Sequence, residues 1–123
     1  MKTILSVSLV LLLLIGSSSW ADVRLPRLFG NNLVLQQQTN NAIWGWADAG
    51  ERVTVTASWG TTAETRADKD GRWKLFLTTP TQSTNQSLVI VGDNRIRIRN
   101  VAVGEVWLCA GQSNMGWAMG NSF

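Results

Sequence analysis

Histidine is absent from the 123-residue sequence, and cysteine occurs once, as Cys109. A lone cysteine excludes an internal disulfide. The absence of histidine removes the most common metal ligand and the usual general base of serine hydrolases. Because Cys109 ends an apolar run, it is expected to be a small buried residue and not a reactive thiol. Neither a metal nor an organic cofactor is expected.

Charge is sparse and carries little functional information. The chain has 11 basic and 8 acidic residues, a formal net charge of +3, with 45% hydrophobic and 15% charged residues. This balance is typical of one small globular domain. Arg95, Arg97 and Arg99 alternate with Ile96 and Ile98, which is the pattern of a strand with a solvated outer face. No aromatic stacking pattern accompanies these arginines, so no nucleic-acid partner is expected.

The one long apolar run lies at the N-terminus, at residues 4–15. At about 12 residues it is shorter than the ~20 residues that a membrane-spanning helix needs, so no stable membrane anchor is expected. A positive start at Lys2 and small residues at Ser19 and Ala21 match a signal peptide that is cleaved after Ala21. We therefore predict a signal peptide over residues 1–21 and a protein that is secreted or periplasmic, or lysosomal in a eukaryote.

Long stretches of helical periodicity are also missing from the rest of the chain. Short runs of period two dominate, most clearly at residues 53–59 and 72–77, and turn residues separate them. Strands at such regular spacing are typical of sandwiches and jelly rolls. The sequence therefore predicts a mainly β protein, with a jelly-roll-like β-sandwich module over residues 22–100.

Several local patterns refine this prediction. The polar segment Pro80–Gln86 is expected to be a loop. The residues Asp68–Gly71 resemble a calcium loop only faintly, because no glutamate follows at the required spacing, so a hairpin turn is expected there. Asn85–Ser87 matches a glycosylation acceptor, which matters only in a eukaryotic secretory route.

Tryptophan is abundant, with seven residues. Trp44, Trp46, Trp59 and Trp73 lie within strand patterns, and most of them are expected in the core because large aromatic side chains dominate burial. Trp44 and Trp46 share strand parity and should face the same side. An exposed aromatic ring that stacks on a sugar remains the alternative.

The character of the sequence changes after Asn100. Residues 101–109 are apolar with Glu105 as the one charge, and Val106–Cys109 is typical of a strand buried on both faces, as in parallel sheets. This segment runs into Ala110–Met115, where a glycine turn would expose Ser113. Such a turn lifts a hydroxyl to the carboxyl end of a strand, near backbone N–H groups that can bind an oxyanion. We predict that residues 101–123 begin an α/β domain that the chain truncates.

Three stretches resemble the sialate O-acetylesterases, a family of the SGNH hydrolase superfamily. Gly104–Met115 is similar to the nucleophile block of that family, Leu25–Gln36 to its N-terminal opening and Ala42–Gly50 to the segment after that opening. The resemblance implies an N-terminal fragment of a secreted esterase. Its substrate would be an O-acetylated sialic acid or another O-acetylated carbohydrate.

The resemblance also implies roles for individual residues. Ser113 would be the nucleophile and donate its backbone N–H to the oxyanion, and Gln112 and Asn114 are assigned to substrate binding. The catalytic histidine, the aspartate three residues before it and the remaining oxyanion donors would lie downstream, so this chain alone is expected to be inactive. The block departs from the common family pattern at Ala110, Gly116 and Ala118.

Two alternatives to a sialate O-acetylesterase stay open. One is a non-catalytic, secreted β-sandwich that binds carbohydrate through exposed tryptophans, which the lack of histidine favours. The other is a different SGNH carbohydrate acetylesterase, such as an acetylxylan esterase, with the same mechanism. The block around Ser113 favours an esterase, because a binding module has no use for a buried strand that ends in an exposed serine. The oligomeric state is left open.

Overall fold

The computed structural model describes residues 22–111, and within this range it contains strands and no helix. The chain is therefore mainly β, as predicted. No helix of the described part is long and apolar enough to cross a membrane. The seven strands, in chain order, are β1 (Val34–Gln36), β2 (Asn40–Trp46), β3 (Arg52–Ala57), β4 (Thr62–Arg66), β5 (Arg72–Thr78), β6 (Ser83–Val91) and β7 (Arg95–Gly104).

The strands form two sheets. The five-stranded sheet has the order β1-β7-β6-β3-β4, and β2 pairs with β5 in a two-stranded sheet. The pairs in both sheets are antiparallel except for β1 and β7, which run parallel with Gln36 opposite Gly104. The parallel pair brings the first strand beside the last one.

Alternation along the strands builds one core from both sheets. Val53 and Val55 of β3 are fully buried, as is Leu77 of β5, while their sequence neighbours are more exposed. Burying each such aliphatic side chain stabilises the fold by about 1.5–3 kcal/mol. The buried residues that form one cluster are Val23, Phe29, Leu35, Ile43, Ala47, Val53, Val55, Ala57, Ala67, Trp73, Leu75, Leu77, Leu88, Ile90, Ile98 and Val101.

The turn predicted at Asp68–Gly71 is confirmed, but it is not a hairpin, because the strands that it joins, β4 and β5, lie in different sheets. The Oδ1 of Asp68 accepts hydrogen bonds from the backbone N–H of Asp70 and of Arg72, both at 2.9 Å. Gly71 has a φ of 74°, and a Cβ there would lie 2.6 Å from the carbonyl oxygen of Ala47. The turn therefore requires glycine for both its conformation and its close contact.

The loop predicted over Pro80–Gln86 is wrong for its second half, because β6 begins at Ser83. Ser83 pairs with Val103 and Gln86 with Val101, with register shifts between them, and Asn85 has a φ of 56°. This part of β6 pairs with β7 alone, since the pairing of β3 with β6 starts at Leu88. Its polar composition reflects the exposed and half-buried positions of an irregular strand and not the absence of one.

Strand β7 extends past the point where the sequence changes character. Asn100 has a φ of 54° inside the strand, and Val101 and Val103 beyond it are buried in the same module. The outward position predicted for Arg95, Arg97 and Arg99 is confirmed, since all three are exposed. Residues 101–104 thus complete the five-stranded sheet.

Two buried hydroxyl groups make a matched test of hydrogen bonding in this fold. Ser83 Oγ is buried without a partner, whereas Thr79 Oγ1 donates to Gln36 O at 2.6 Å and accepts from Asn41 Nδ2 at 3.1 Å. We predict that Ser83→Ala raises the free energy of unfolding by about 1 kcal/mol, and that Thr79→Val lowers it by about 1–3 kcal/mol. Urea unfolding of the full chain measures both, and a loss of stability in Ser83→Ala would contradict the assignment.

Candidate functional site

The residues predicted to act in catalysis follow the described part of the chain. Ser113, Gln112 and Asn114 lie outside residues 22–111, so their roles stay predictions. The structure describes the segment that leads to them, residues 105–111, and the strands that hold its start.

The approach to Ser113 differs from the predicted strand. Residues 105–111 have no regular secondary structure, and Val106, Trp107 and Leu108 have exposed fractions of 52%, 82% and 93%. The buried strand predicted over Val106–Cys109 is therefore wrong for this structure, and Cys109 is a free, exposed thiol instead of a buried one. A strand buried on both faces needs flanking strands and covering layers, and the described residues supply none around this segment.

Two glutamines fix the start of this segment. Gln36 Nε2 donates to Glu105 Oε2 at 3.1 Å, and Gln37 Nε2 donates to Glu105 Oε1 at 2.5 Å. Gln36 Oε1 in turn accepts the backbone N–H of Val106 at 2.7 Å. The chain that continues toward Ser113 therefore leaves β7 in a direction that four side-chain and backbone groups define.

The same contacts shift the acidity of Glu105. Hydrogen bonds from Gln37 and then Gln36 lower the pKa of this carboxyl, because they stabilise its charged form. The glutamines were not among the predicted site residues. Gln36 ends the N-terminal stretch that resembles the esterase family, and Glu105 is the one charge of the apolar run at residues 101–109. The sequence therefore singled out both residues, but it did not show that they are hydrogen-bonded to each other.

A second feature is an open groove of about 670 Å³ over the outer face of β2 and β5. Trp44 and Trp46 line it with exposed fractions of 37% and 39%. Trp44 lies opposite Lys74 and Trp46 opposite Arg72 in the antiparallel register. The groove therefore places two indole rings beside two cationic side chains.

The core position expected for most of the strand tryptophans is confirmed for Trp73, which is 3% exposed, and wrong for Trp44 and Trp46. The shared face of Trp44 and Trp46 is confirmed. Their neighbours Ile43 and Gly45 occupy the inner face instead. The inner position of Gly45 is too crowded for any side chain, because a Cβ there would lie 2.2 Å from Arg24 O and 2.9 Å from the Trp73 ring.

An acidic cluster lies where the loop between β2 and β3 meets the loop between β6 and β7. One carboxylate oxygen each from Asp48, Glu51 and Asp93 lies within 4.8 Å of the others, a spacing at which such groups could hold a metal ion. Glu51 already accepts the backbone N–H groups of Asp48 and Asp93, at 2.8 and 2.7 Å. Desolvation and then the charge of Glu51 raise the pKa of Asp93. Through these hydrogen bonds to Glu51, the cluster connects the loop that contains Asp48 with the loop that contains Asp93.

Comparison with known proteins finds similarity to one solved structure and to several curated proteins. No protein-family model matches it. It is similar to the crystal structure of a carbohydrate acetylesterase from Xanthomonas citri, with a TM-score of 0.71 and 34% sequence identity over 78% of this chain and 22% of that one.

Two mammalian sialate O-acetylesterases are similar to most of this chain. The chain is 34% identical to the sialate O-acetylesterase of Rattus norvegicus over 89% of its length, and 30% identical to that of Homo sapiens over 91%. Over most of its length the chain therefore belongs to the sialate O-acetylesterase family, which confirms the resemblance in its motifs. It spans 23% of the rat protein and 24% of the human one, about a quarter of each.

The contacts of Glu105 predict a measurable change of acidity. In the full chain the pKa of Glu105 should lie below its ordinary value of 4.5, and Gln37→Leu should return it toward that value because the donor with the largest effect is gone. Since the folded pKa is lowered, these bonds stabilise the fold at neutral pH, and that contribution is lost as the pH falls through the folded pKa.

Carbon-13 NMR titration of the Glu105 carboxyl measures this shift. Gln82→Leu is the control, because the Gln82 side chain does not contact Glu105 and only its backbone N–H bonds Gln37. An unchanged pKa in Gln37→Leu would show that the hydrogen bond does not hold the carboxylate.

Proposed function

We propose that this sequence belongs to a secreted serine esterase that removes O-acetyl groups from sialic acids or related sugars. The observation that carries the proposal is the 34% identity to a sialate O-acetylesterase over 89% of the chain. The structural similarity to a carbohydrate acetylesterase supports the same reaction class. The proposed architecture is a jelly-roll-like β-sandwich module that extends to the end of β7 at Gly104, followed by the start of an α/β domain of the SGNH type.

In the proposed mechanism, Ser113 Oγ attacks the acetyl carbonyl carbon. The C–O bond to the sugar then breaks, and an acetyl-serine intermediate forms. A base takes the proton of Ser113 and delivers it to the leaving sugar oxygen, and water later hydrolyses the intermediate. The backbone N–H of Ser113 donates to the oxyanion, with Gln112 and Asn114 binding the substrate.

The base has to come from outside these residues, because the 123-residue chain contains no histidine. A serine hydroxyl without a base is a poor nucleophile at neutral pH. We propose that the catalytic histidine and aspartate lie in a longer protein, and that the 123-residue chain by itself does not hydrolyse esters.

Another carbohydrate acetylesterase activity, such as acetylxylan hydrolysis, would use the same residues. The structural relative from Xanthomonas citri is described as a carbohydrate acetylesterase without a named sugar, which keeps this activity as the second candidate. Comparing hydrolysis of O-acetylated sialic acid with that of acetylated xylan, at equal enzyme concentration, separates the two. A faster rate on acetylated xylan would favour the second.

The role of Ser113 predicts a covalent adduct. The protein expressed from its complete gene should react with a fluorophosphonate probe at Ser113, and Ser113→Ala should abolish labelling. Turnover of 4-nitrophenyl acetate should fall by about 10⁴- to 10⁶-fold, the typical cost of removing a catalytic serine. Ser87→Ala is a matched control, because Ser87 lies in β6 and is not part of the block. Labelling that persists in Ser113→Ala would refute the nucleophile assignment.

The signal peptide predicts the N-terminus of the exported protein. Mass spectrometry of the secreted or periplasmic form should find Asp22 as its first residue. Replacing the small residue before the cut, Ala21→Arg, should block cleavage there, because signal peptidase requires a small side chain at that position. Thr3→Ser is the control. A mature protein that retains residues 1–21 would contradict the proposed localisation.

A further inference from the structure

The outer face of β2 and β5 carries several exposed aromatic side chains. Trp44, Trp46 and Phe76 point outward from it with exposed fractions of 37%, 39% and 58%. Exposed aromatic rings gathered on one face cost solvation energy, so they mark a contact surface more often than isolated apolar residues do.

The aromatic side chains are held in place before any ligand arrives. Phe29 packs edge-on against Trp44, with ring centroids 4.7 Å apart and an interplanar angle of 81°. The Nζ of Lys74 lies over the ring of Phe76, 5.1 Å from its centroid. Seven residue pairs fix the register of the two strands, from Asn40 opposite Thr78 to Trp46 opposite Arg72. A preordered surface loses little conformational entropy on binding.

Charge defines what this surface can bind. The groove is lined by three cationic side chains, Arg66, Arg72 and Lys74, and by one carboxylate, Asp68. Two backbone N–H groups already bond Asp68 Oδ1, and Arg66 Nη1 bonds the carbonyl oxygen of Gly50, which lies outside the groove lining, at 2.9 Å. The balance of charge in the groove is positive and therefore complementary to an anionic ligand.

We infer that this groove binds an oligosaccharide that carries a carboxylate. The apolar C–H face of a sugar ring packs on Trp44 or Trp46, which buries apolar area on both partners. The carboxylate pairs with Arg72 or Lys74, which lie directly across from those rings, in charge-assisted hydrogen bonds. A groove of about 670 Å³ lies within the range of ligand sites and accommodates a short oligosaccharide.

This site is separate from the chemistry proposed at Ser113. It would hold an acidic glycan on the β module, whereas ester cleavage is assigned to the block that follows β7. The inference stands on the described residues alone, so it does not depend on the proposed esterase activity.

The test uses the full chain with Ser113→Ala and two probes, 3′-sialyllactose and lactose. Neither carries an O-acetyl ester, and they differ by the sialic acid that supplies the carboxylate. Tryptophan fluorescence or calorimetry should show binding of 3′-sialyllactose at least tenfold tighter than that of lactose. Trp46→Ala and Arg72→Gln should each weaken binding of 3′-sialyllactose about tenfold, while Trp44→Phe should retain most of it.

Arg97→Gln is the matched control for charge, because Arg97 is also exposed but lies on β7, outside the groove lining. Circular dichroism of each variant verifies that it is folded. Equal affinity for the two glycans, unchanged binding in both Trp46→Ala and Arg72→Gln, or displacement of 3′-sialyllactose by oligodeoxythymidylate would overturn the inference. A failure to label Ser113 in the enzyme would leave this result unaffected, so the two proposals fail separately.

Discussion

The close approach at Gly45 is the constraint on which the two-stranded sheet depends. A Cβ at this position would lie 2.2 Å from Arg24 O and 2.9 Å from the Trp73 ring. Without a side chain there, Arg24 can bridge to Trp46 through two backbone hydrogen bonds of 2.8 and 2.9 Å, and Trp73 can fill the space beneath. Because side chains alternate along a strand, a buried Gly45 forces Trp44 and Trp46 onto the outer face. One packing contact inside the protein therefore creates the aromatic groove outside it.

The pattern of strands was predictable where each strand has one buried face. Val53 and Val55, and Leu75 and Leu77, alternate with more polar residues, and the structure buries them as that alternation requires. The polar start of β6 was not predictable in this way. Its residues pair with β7 alone and are polar whether exposed or half-buried, so the side chains carry no signal of the backbone pairing that makes Ser83 part of a strand.

The candidate site shows a different limit of sequence reasoning. Apolar composition predicted burial for Trp44, Trp46 and Val106–Cys109, yet all of these are exposed among the described residues. An apolar composition shows that a segment could be buried. Burial also requires another part of the protein to pack against the segment, and the local sequence does not show whether that part is there. Strand parity was a better guide for Trp44 and Trp46, because it depends on the backbone alone and correctly placed both on one face.

The turn between β1 and β2 contacts both the exit of β7, which leads toward Ser113, and the end of β5 in the sheet that carries the groove. Gln37 in this turn donates to Glu105 at the exit of β7 and accepts the backbone N–H of Gln82 at 2.8 Å. Thr79, which follows β5, donates its hydroxyl to the carbonyl oxygen of Gln36 and its backbone N–H to that of Thr39. The exit toward Ser113 and the sheet that carries the groove therefore share one hydrogen-bonded junction. None of the junction residues lines the groove, so the junction links the groove to the segment leading toward Ser113 only through the strands that carry the groove.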